Sequence, residues 1–347
     1  GGMTVVKNWR NRKTLILSRS DMMGLLTPEE YVECVETAFR RHGEGRCYLE
    51  PKGHIVLDKY PGEWEVMPSY IESPLDNVSE AAACKWVSIR ENNRANFDLP
   101  TVFSILVYTD PETGFPLAIV DGSYHTMMRT GASAAVSIRW MARKNSKILA
   151  LVGAGDVGIG AFRTCSSIFN WNEVRVWSRS QETLDRFLES ESTRHPQLNL
   201  RGSTRTEDII PGADVVVTMT TGAEVVVKNE YISEGTHIAA LGSDLAGNQE
   251  LDSKILQRAR IFVDDIRQCR TDGEINVPLS NGEISESDVV GDIGKVILGE
   301  KPGRTTDGEI TIFDSTGIAI QDSATVPLEY KRALEAGVGV EKKMIST

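Results

Sequence analysis

Cysteine is scarce and odd in number. The five residues Cys34, Cys47, Cys84, Cys165 and Cys269 are widely separated among 347, with no CxxC pair. That spacing suggests neither a disulfide framework nor a zinc knuckle, and a reducing cytoplasm is the expected compartment. The five histidines (His42, His54, His125, His195, His237) form no HExxH or other close metal-ligand spacing, so no metal is expected. No run of about 18 apolar residues occurs, and the first residues lack a basic segment followed by an apolar one. Neither a spanning helix nor a signal peptide is expected, and Gly1 and Gly2 before Met3 read as an expression remnant. Positive charge is in deficit: 38 Lys and Arg stand against 49 Asp and Glu, a formal charge of −11. Phosphate backbones and anionic membrane surfaces are repelled by such a chain, so no nucleic acid or membrane partner is expected. An anionic substrate would need a locally basic pocket, which draws attention to Lys and Arg in apolar surroundings.

The composition is that of a folded chain, with 40% hydrophobic and 25% charged residues. The length suggests two domains. Residues 27–43 begin with a Thr cap, Pro at the first helical position and acids in the first turn, then space apolar residues at helical intervals. Over residues 47–120 the text changes to short runs broken by Pro, Gly and Asn (HIVL, WEVMPSY, CKWVSI, TVFSILVYTD, PLAIVD), with DPETG as a hairpin turn. This reads as a mainly antiparallel α+β domain. After an Ala-rich helix over residues 125–144 come KILALVG, EVRVWS, ADVVVTMT, HIAALG, ARIFVDD and EITIFDSTG, separated by helix-length segments. Such alternation specifies a parallel sheet, and residues 320–337 read as a helix that returns to the first domain. The expected fold class is α/β: a Rossmann-type parallel-sheet cofactor domain plus an α+β substrate domain.

KILALVGAGDVG carries Gly153, Gly155 and Gly158 in GxGxxG spacing directly after a strand and before a helix. The first glycine permits the tight turn, the second lets backbone approach a pyrophosphate, and the third allows helix and strand to pack closely. The position after the second strand, where an acid would bind the ribose 2′-OH of NAD, carries Ser178, Arg179 and Ser180. Hydroxyls around a guanidinium suit a 2′-phosphate, so NADP(H) is the favoured cofactor and NAD(H) the alternative. An ordinary solvated turn is the other reading of this triplet.

Together these motifs resemble the ornithine cyclodeaminase/mu-crystallin family. The blocks that carry the resemblance are VMPSY, KWVS, LPTVFSILVYTDPETGFPLAIVDG, RTGASAA, GAGDVG, LGSDLAGNQELD and GEKPGRTTDGEITIFDSTGIAIQD, in the family's order along nearly the whole chain. The resemblance implies that Lys52, Lys85 and Arg129 surround the substrate carboxylate and cofactor, with Thr316 on the substrate side. Lys85 in AAACKWVSI and Arg129 beside Met128 agree, because a charge in apolar text is costly without an anion. A pair of structural salt bridges is the alternative. The resemblance makes Asp244 the general acid/base, although Asp244-Leu245-Ala246-Gly247 lacks the proline that members commonly carry after this acid; the alternative is a cap for a helix over residues 248–255. Glu65 aligns with an acid that assists proton transfer in ornithine cyclodeaminase, its alternative being an exposed strand residue. By position Thr101, Asp156, Val157, Ser178, Thr220, Leu241 and Ser315 resemble cofactor contacts.

The resemblance implies residues 1–131 with 314–347 as substrate-binding and dimerisation domain, residues 132–313 as cofactor domain, and a homodimer. It implies an NAD(P)(H)-dependent oxidoreductase acting on the C–N bond of a small α-amino or α-imino acid, either an imino-acid reductase or an amino-acid dehydrogenase. Two other readings are an ornithine or lysine cyclodeaminase that recycles NAD, and a non-catalytic mu-crystallin-like binder of NADP(H) or a hormone. Retention of Asp244, Arg129 and Lys85 argues against pure binding.

Overall fold

The computed structural model describes residues 8–75 and 78–346; the two glycines before Met3 lie outside them. Its strands are β1 (Thr14–Leu17), β2 (Cys47–Leu49), β3 (Gly53–Leu57), β4 (Tyr60–Ile71), β5 (Ala81–Ile89), β6 (Val102–Thr109), β7 (Pro116–Asp121), β8 (Ile148–Val152), β9 (Glu173–Trp177), β10 (Asn199–Ser203), β11 (Val215–Thr218), β12 (His237–Ala240), β13 (Ala259–Val263), β14 (Val289–Asp292), β15 (Ile310–Asp314) and β16 (Val340–Lys342). The helices are α1 (Arg19–Met22), α2 (Pro28–Glu44), α3 (Asn93–Phe97), α4 (Gly122–Met141), α5 (Asp156–Ile168), α6 (Gln181–Glu191), α7 (Ser253–Gln257), α8 (Ile266–Asp272), α9 (Asn276–Ser280), α10 (Ile293–Ile297) and α11 (Ala319–Ala336).

One sheet runs β16-β1-β7-β6-β5-β4-β2, with β3 also paired to β4. It is antiparallel except where β1 joins β7 in parallel. The DPETG turn closes β6 onto β7, held by the Gly114 N–H on the Asp110 carbonyl at 2.7 Å. The other sheet is parallel throughout, in the order β10-β9-β8-β11-β12-β15-β13-β14. Its central strands β8, β11, β12 and β15 are almost wholly buried, which explains their unbroken apolar text. The order reverses between β8 and β11, and doubly wound sheets bind ligands at that point.

Between the sheets run α2 and α4. Thr27 and Glu30 close a reciprocal capping box on α2, and Gly45 ends it in the left-handed region. Asp121 caps the 20-residue α4, which packs on both α2 and α5. The chain then comes back: α11 packs on α2, β4 and β5 of the first sheet. Ser69 on β4 donates to the Ala319 carbonyl at 2.8 Å and lies 2.6 Å from the Ser323 hydroxyl, anchoring that return. The loops after β12 and β15 thereby meet the segment between β2 and β3, where Lys52 lies beside Asp244 and the Thr316 carbonyl.

Candidate active site

At the carboxyl end of β8 the chain turns at Gly153, whose φ of +138° suits glycine, and a Cβ there would meet the Met219 carbonyl at 2.8 Å. A Cβ on Gly158 would lie 2.4 Å from the Gly153 oxygen, so the turn and the first turn of α5 fit only when both are glycine. Gly155 faces open space, and Asp156 and Val157 begin a 13-residue helix with no side-chain cap from Gly155. An open helix start of this kind can hold a pyrophosphate. Asp156 itself is exposed, 4.0 Å from Arg19.

After β9, the buried Ser178 hydroxyl accepts the Ser180 N–H at 3.2 Å, and Ser180 caps α6 by accepting the Thr183 N–H. Arg179 is exposed and paired with Glu224. Thr220 donates its N–H and hydroxyl to the buried Glu250 at 2.8 and 2.7 Å, while the Leu241 N–H donates to the Thr218 carbonyl. Glu250 also takes the Gly242 N–H, so one carboxylate braces the loops after β11 and β12. Thr101 lies exposed just before β6, its carbonyl accepting the Arg90 N–H, and these contacts do not join it to the glycine turn.

The Lys52 ammonium is buried and donates to the Thr316 carbonyl at 2.7 Å, while the Lys52 backbone N–H donates to Gln268. It stands 3.6 Å from Glu65 and 3.9 Å from Asp244. Burial alone would lower the Lys52 pKa, but Glu65 and Asp244 hold it above its ordinary value. Asp244 sits in the loop after β12 with a partly exposed carboxylate. Desolvation, eased by Lys52 and reinforced by Glu65, Glu63 and Asp272, lifts it to about 6. It is not a helix cap: residues 248–251 form no helix, and the next helix, α7, starts at Ser253 under Asp252. The loop that lacks a proline is instead held by Asn276, which accepts the Gly247 N–H at 2.9 Å and donates to the Asn248 carbonyl at 3.0 Å. Glu65 is 3% exposed, which excludes the exposed-strand reading, and its Oε1 is buried without a hydrogen bond.

Lys85 and Arg129 meet on an acid that sequence reasoning missed. The Asp322 Oδ1 on α11 accepts from Lys85 Nζ at 3.2 Å, Arg129 Nε at 2.9 Å and His125 Nε2 at 2.9 Å, all four side chains being nearly or fully buried. The His125 ring also touches Glu329 at 2.6 Å, and Glu329 accepts from Tyr31 at 3.0 Å. Burial, then Arg129, push the Lys85 ammonium down to about 7 against the pull of Asp322. Ser315 and Thr316 are fixed from behind by Asp264, which accepts the Thr316 N–H at 2.8 Å. Beside Glu65, His54 bridges Glu63 at 2.9 Å and Asp272 at 3.2 Å, also unforeseen in the sequence. His54, Glu63 and Glu65 bring ligand-type atoms within 4.8 Å of one another, but His54 is spent on its two carboxylates.

The sequence model of the ornithine cyclodeaminase/mu-crystallin family matches residues 12–337. An archaeal alanine dehydrogenase, solved as a dimer with bound NAD, superposes with a TM-score of 0.88 at 37% identity, covering 96% of this chain and 100% of that one. Delta(1)-pyrroline-2-carboxylate reductase of Thermococcus litoralis, solved with NADH and L-proline, gives 0.89 at 33% identity, covering 94% and 99%. Iminosuccinate reductase of Paracoccus denitrificans is 32% identical over 328 residues, 94% of this chain and 99% of its own. The chain belongs to the ornithine cyclodeaminase/mu-crystallin family.

Proposed function

We propose that this chain reduces the C=N bond of a small α-imino acid, preformed or made from a keto acid and ammonia, and in reverse acts as an amino-acid dehydrogenase. It is a nicotinamide-dependent oxidoreductase of amino or imino acids, the class of its relatives. When bound, the nicotinamide supplies or takes the hydride at the substrate's α-carbon. Lys52, Lys85 and Arg129 hold the carboxylate, and fixing the α-carbon in this way is a large source of rate. The Thr316 carbonyl aims Lys52. Asp244 gives a proton to the nitrogen in reduction and removes it in oxidation, for which a pKa of about 6 is suited. The observation that carries the reading is the Lys52 ammonium, within 4 Å of both Glu65 and Asp244 beside the loop after β12.

Three finer points belong to the proposal. Ser178, Arg179 and Ser180 favour NADP(H) over NAD(H), with Arg179 leaving Glu224 for the 2′-phosphate. Residues 1–131 with 314–347 bind substrate and form a homodimer, while residues 132–313 bind the dinucleotide. Among the described residues no helix is long and apolar enough to cross a membrane, and free cysteines fit a reducing cytoplasm. Glu65 beside Lys52 favours, as a second reading, a cyclodeaminase in which hydride is removed and returned. The test offers pyruvate with ammonia or methylamine, pyrroline-2-carboxylate and piperideine-2-carboxylate, and follows NADPH and NADH absorbance. Stoichiometric cofactor oxidation supports the reductase; ammonia released from ornithine or lysine without net oxidation supports the second reading.

A further inference from the structure

We propose that Asp322 is the positioning residue of the carboxylate site: it gathers Lys85, Arg129 and His125 on one oxygen and leaves the buried cluster one positive charge in excess, which a single substrate carboxylate neutralises. The inference rests on the carboxylate-binding reading of Lys85 and Arg129.

The charges follow from these contacts together with the raised pKa of His125. Both His125 ring nitrogens lie on carboxylate oxygens, at 2.6 Å from Glu329 and 2.9 Å from Asp322, and although burial works against the charge these two acids raise the ring's pKa, so it is counted as an imidazolium donating from both nitrogens. Lys85, Arg129 and His125 then face Asp322 and Glu329, three cations against two anions, with Tyr31 neutral behind Glu329. A buried surplus cation is costly unless an anion arrives, and the substrate is that anion.

Asp322 also sets direction. It occupies the Nε of Arg129, leaving the two-pronged end of the guanidinium outside this contact, with one prong 3.3 Å from the Thr130 hydroxyl. It holds Lys85 together with Thr126, whose hydroxyl accepts at 3.0 Å. The second oxygen of Asp322 is buried and has no hydrogen-bond partner among the described residues. The groups facing Lys85 are Arg129, Lys52 and Asp322, with His125 on the same Asp322 oxygen. With Lys85 at about 7, the excess charge disappears as pH rises, so carboxylate affinity falls by about tenfold per pH unit above neutrality.

The test measures calorimetric binding of pyrrole-2-carboxylate, a planar carboxylate, to the cofactor-loaded enzyme from pH 5.5 to 9, with pyrrole as the uncharged control. Wild type binds the carboxylate with a midpoint near 7 and ignores pyrrole. Asp322→Asn removes the anion beside Lys85 and moves the midpoint to lower pH. His125→Gln removes a cation, keeps a donor, and moves the midpoint to higher pH. These opposite shifts are beyond a merely structural role, and unchanged cofactor affinity reports the fold. If Asp322→Asn does not fold, the alkaline shift in His125→Gln decides. Equal midpoints, or shifts in one direction for both variants, overturn the role of Asp322 while leaving the carboxylate site in place. Wild type that binds neither probe overturns the carboxylate site itself, and this inference with it.

Discussion

The Lys52 ammonium and the Asp244 carboxylate face each other at 3.9 Å, one delivered by the strand-rich sheet and the other by the loop after β12. An acid raised to about 6 beside a fixed cation can exchange a proton near neutrality. Asp244→Asn is expected to keep fold and cofactor affinity while turnover falls by about 100-fold or more. In wild type the reductive rate should decline as pH rises through about 6, where Asp244 loses its proton, and the oxidative rate should rise over the same range. Steady-state pH profiles check both limbs, and their survival in Asp244→Asn would move the acid role to another group.

Lys85 touches substrate in ground and transition states alike under this account. Lys85→Met should therefore raise the Michaelis constant strongly and change turnover less. A variant that loses only turnover would contradict a binding role.

Arg179 is paired with Glu224 on the surface, and exposed pairs are weak, so the guanidinium is available to a better anion. Ser178→Asp or Arg179→Ala should weaken NADPH by about 10-fold or more while NADH changes little. Glu224→Gln should slightly strengthen NADPH. Equal losses for both cofactors would reduce the triplet to a surface turn.

Asp314, at the end of β15, is buried with Asp264, Glu274 and Cys269 nearby, and burial lifts its carboxyl to about 8 from an ordinary 3.8. The folded state thus holds a proton that the unfolded chain releases. Its contribution to stability is full below about 4 and is lost as pH rises through about 8. Thermal melting should show this decline, and Asp314→Asn, which needs no proton, should flatten it. A wild-type melting temperature constant from pH 5 to 8.5 would contradict the neutral carboxyl.

The parallel sheet was legible because its strands are buried on both faces and so read as continuous apolar runs, and the glycine turn because backbone crowding at Gly153 and Gly158 tolerates no side chain. The helix over residues 27–43 announced itself through Thr27 and Glu30. Residues 248–255 misled, since Asn276 and Glu274 hold their backbone by tertiary hydrogen bonds that local propensity does not register. The strand β16 was invisible: it is short, exposed and polar, and exists through pairing with β1. At the site, Lys52, Lys85, Arg129, Glu65 and Asp244 were named from text, but not their partners. Asp322 lay within GIAIQD, and its signal was an acid in the first turn of the returning helix. His54 with Glu63 and Asp272 depends on the β3–β4 register meeting α8, which sequence spacing does not encode.

The central claim, hydride delivery to an imino acid's α-carbon, is tested most directly by isotope transfer. Reduced cofactor carrying deuterium at nicotinamide C4 is incubated with each imino acid or keto acid plus ammonia, and the amino-acid product is weighed by mass spectrometry. The account predicts, when the transferred face carries the label, a product with one deuterium at the α-carbon for each cofactor oxidised, and about one hundredth as much labelled product or less from Asp244→Asn over the same period. Amino acid formed without deuterium from either face-labelled cofactor would contradict it.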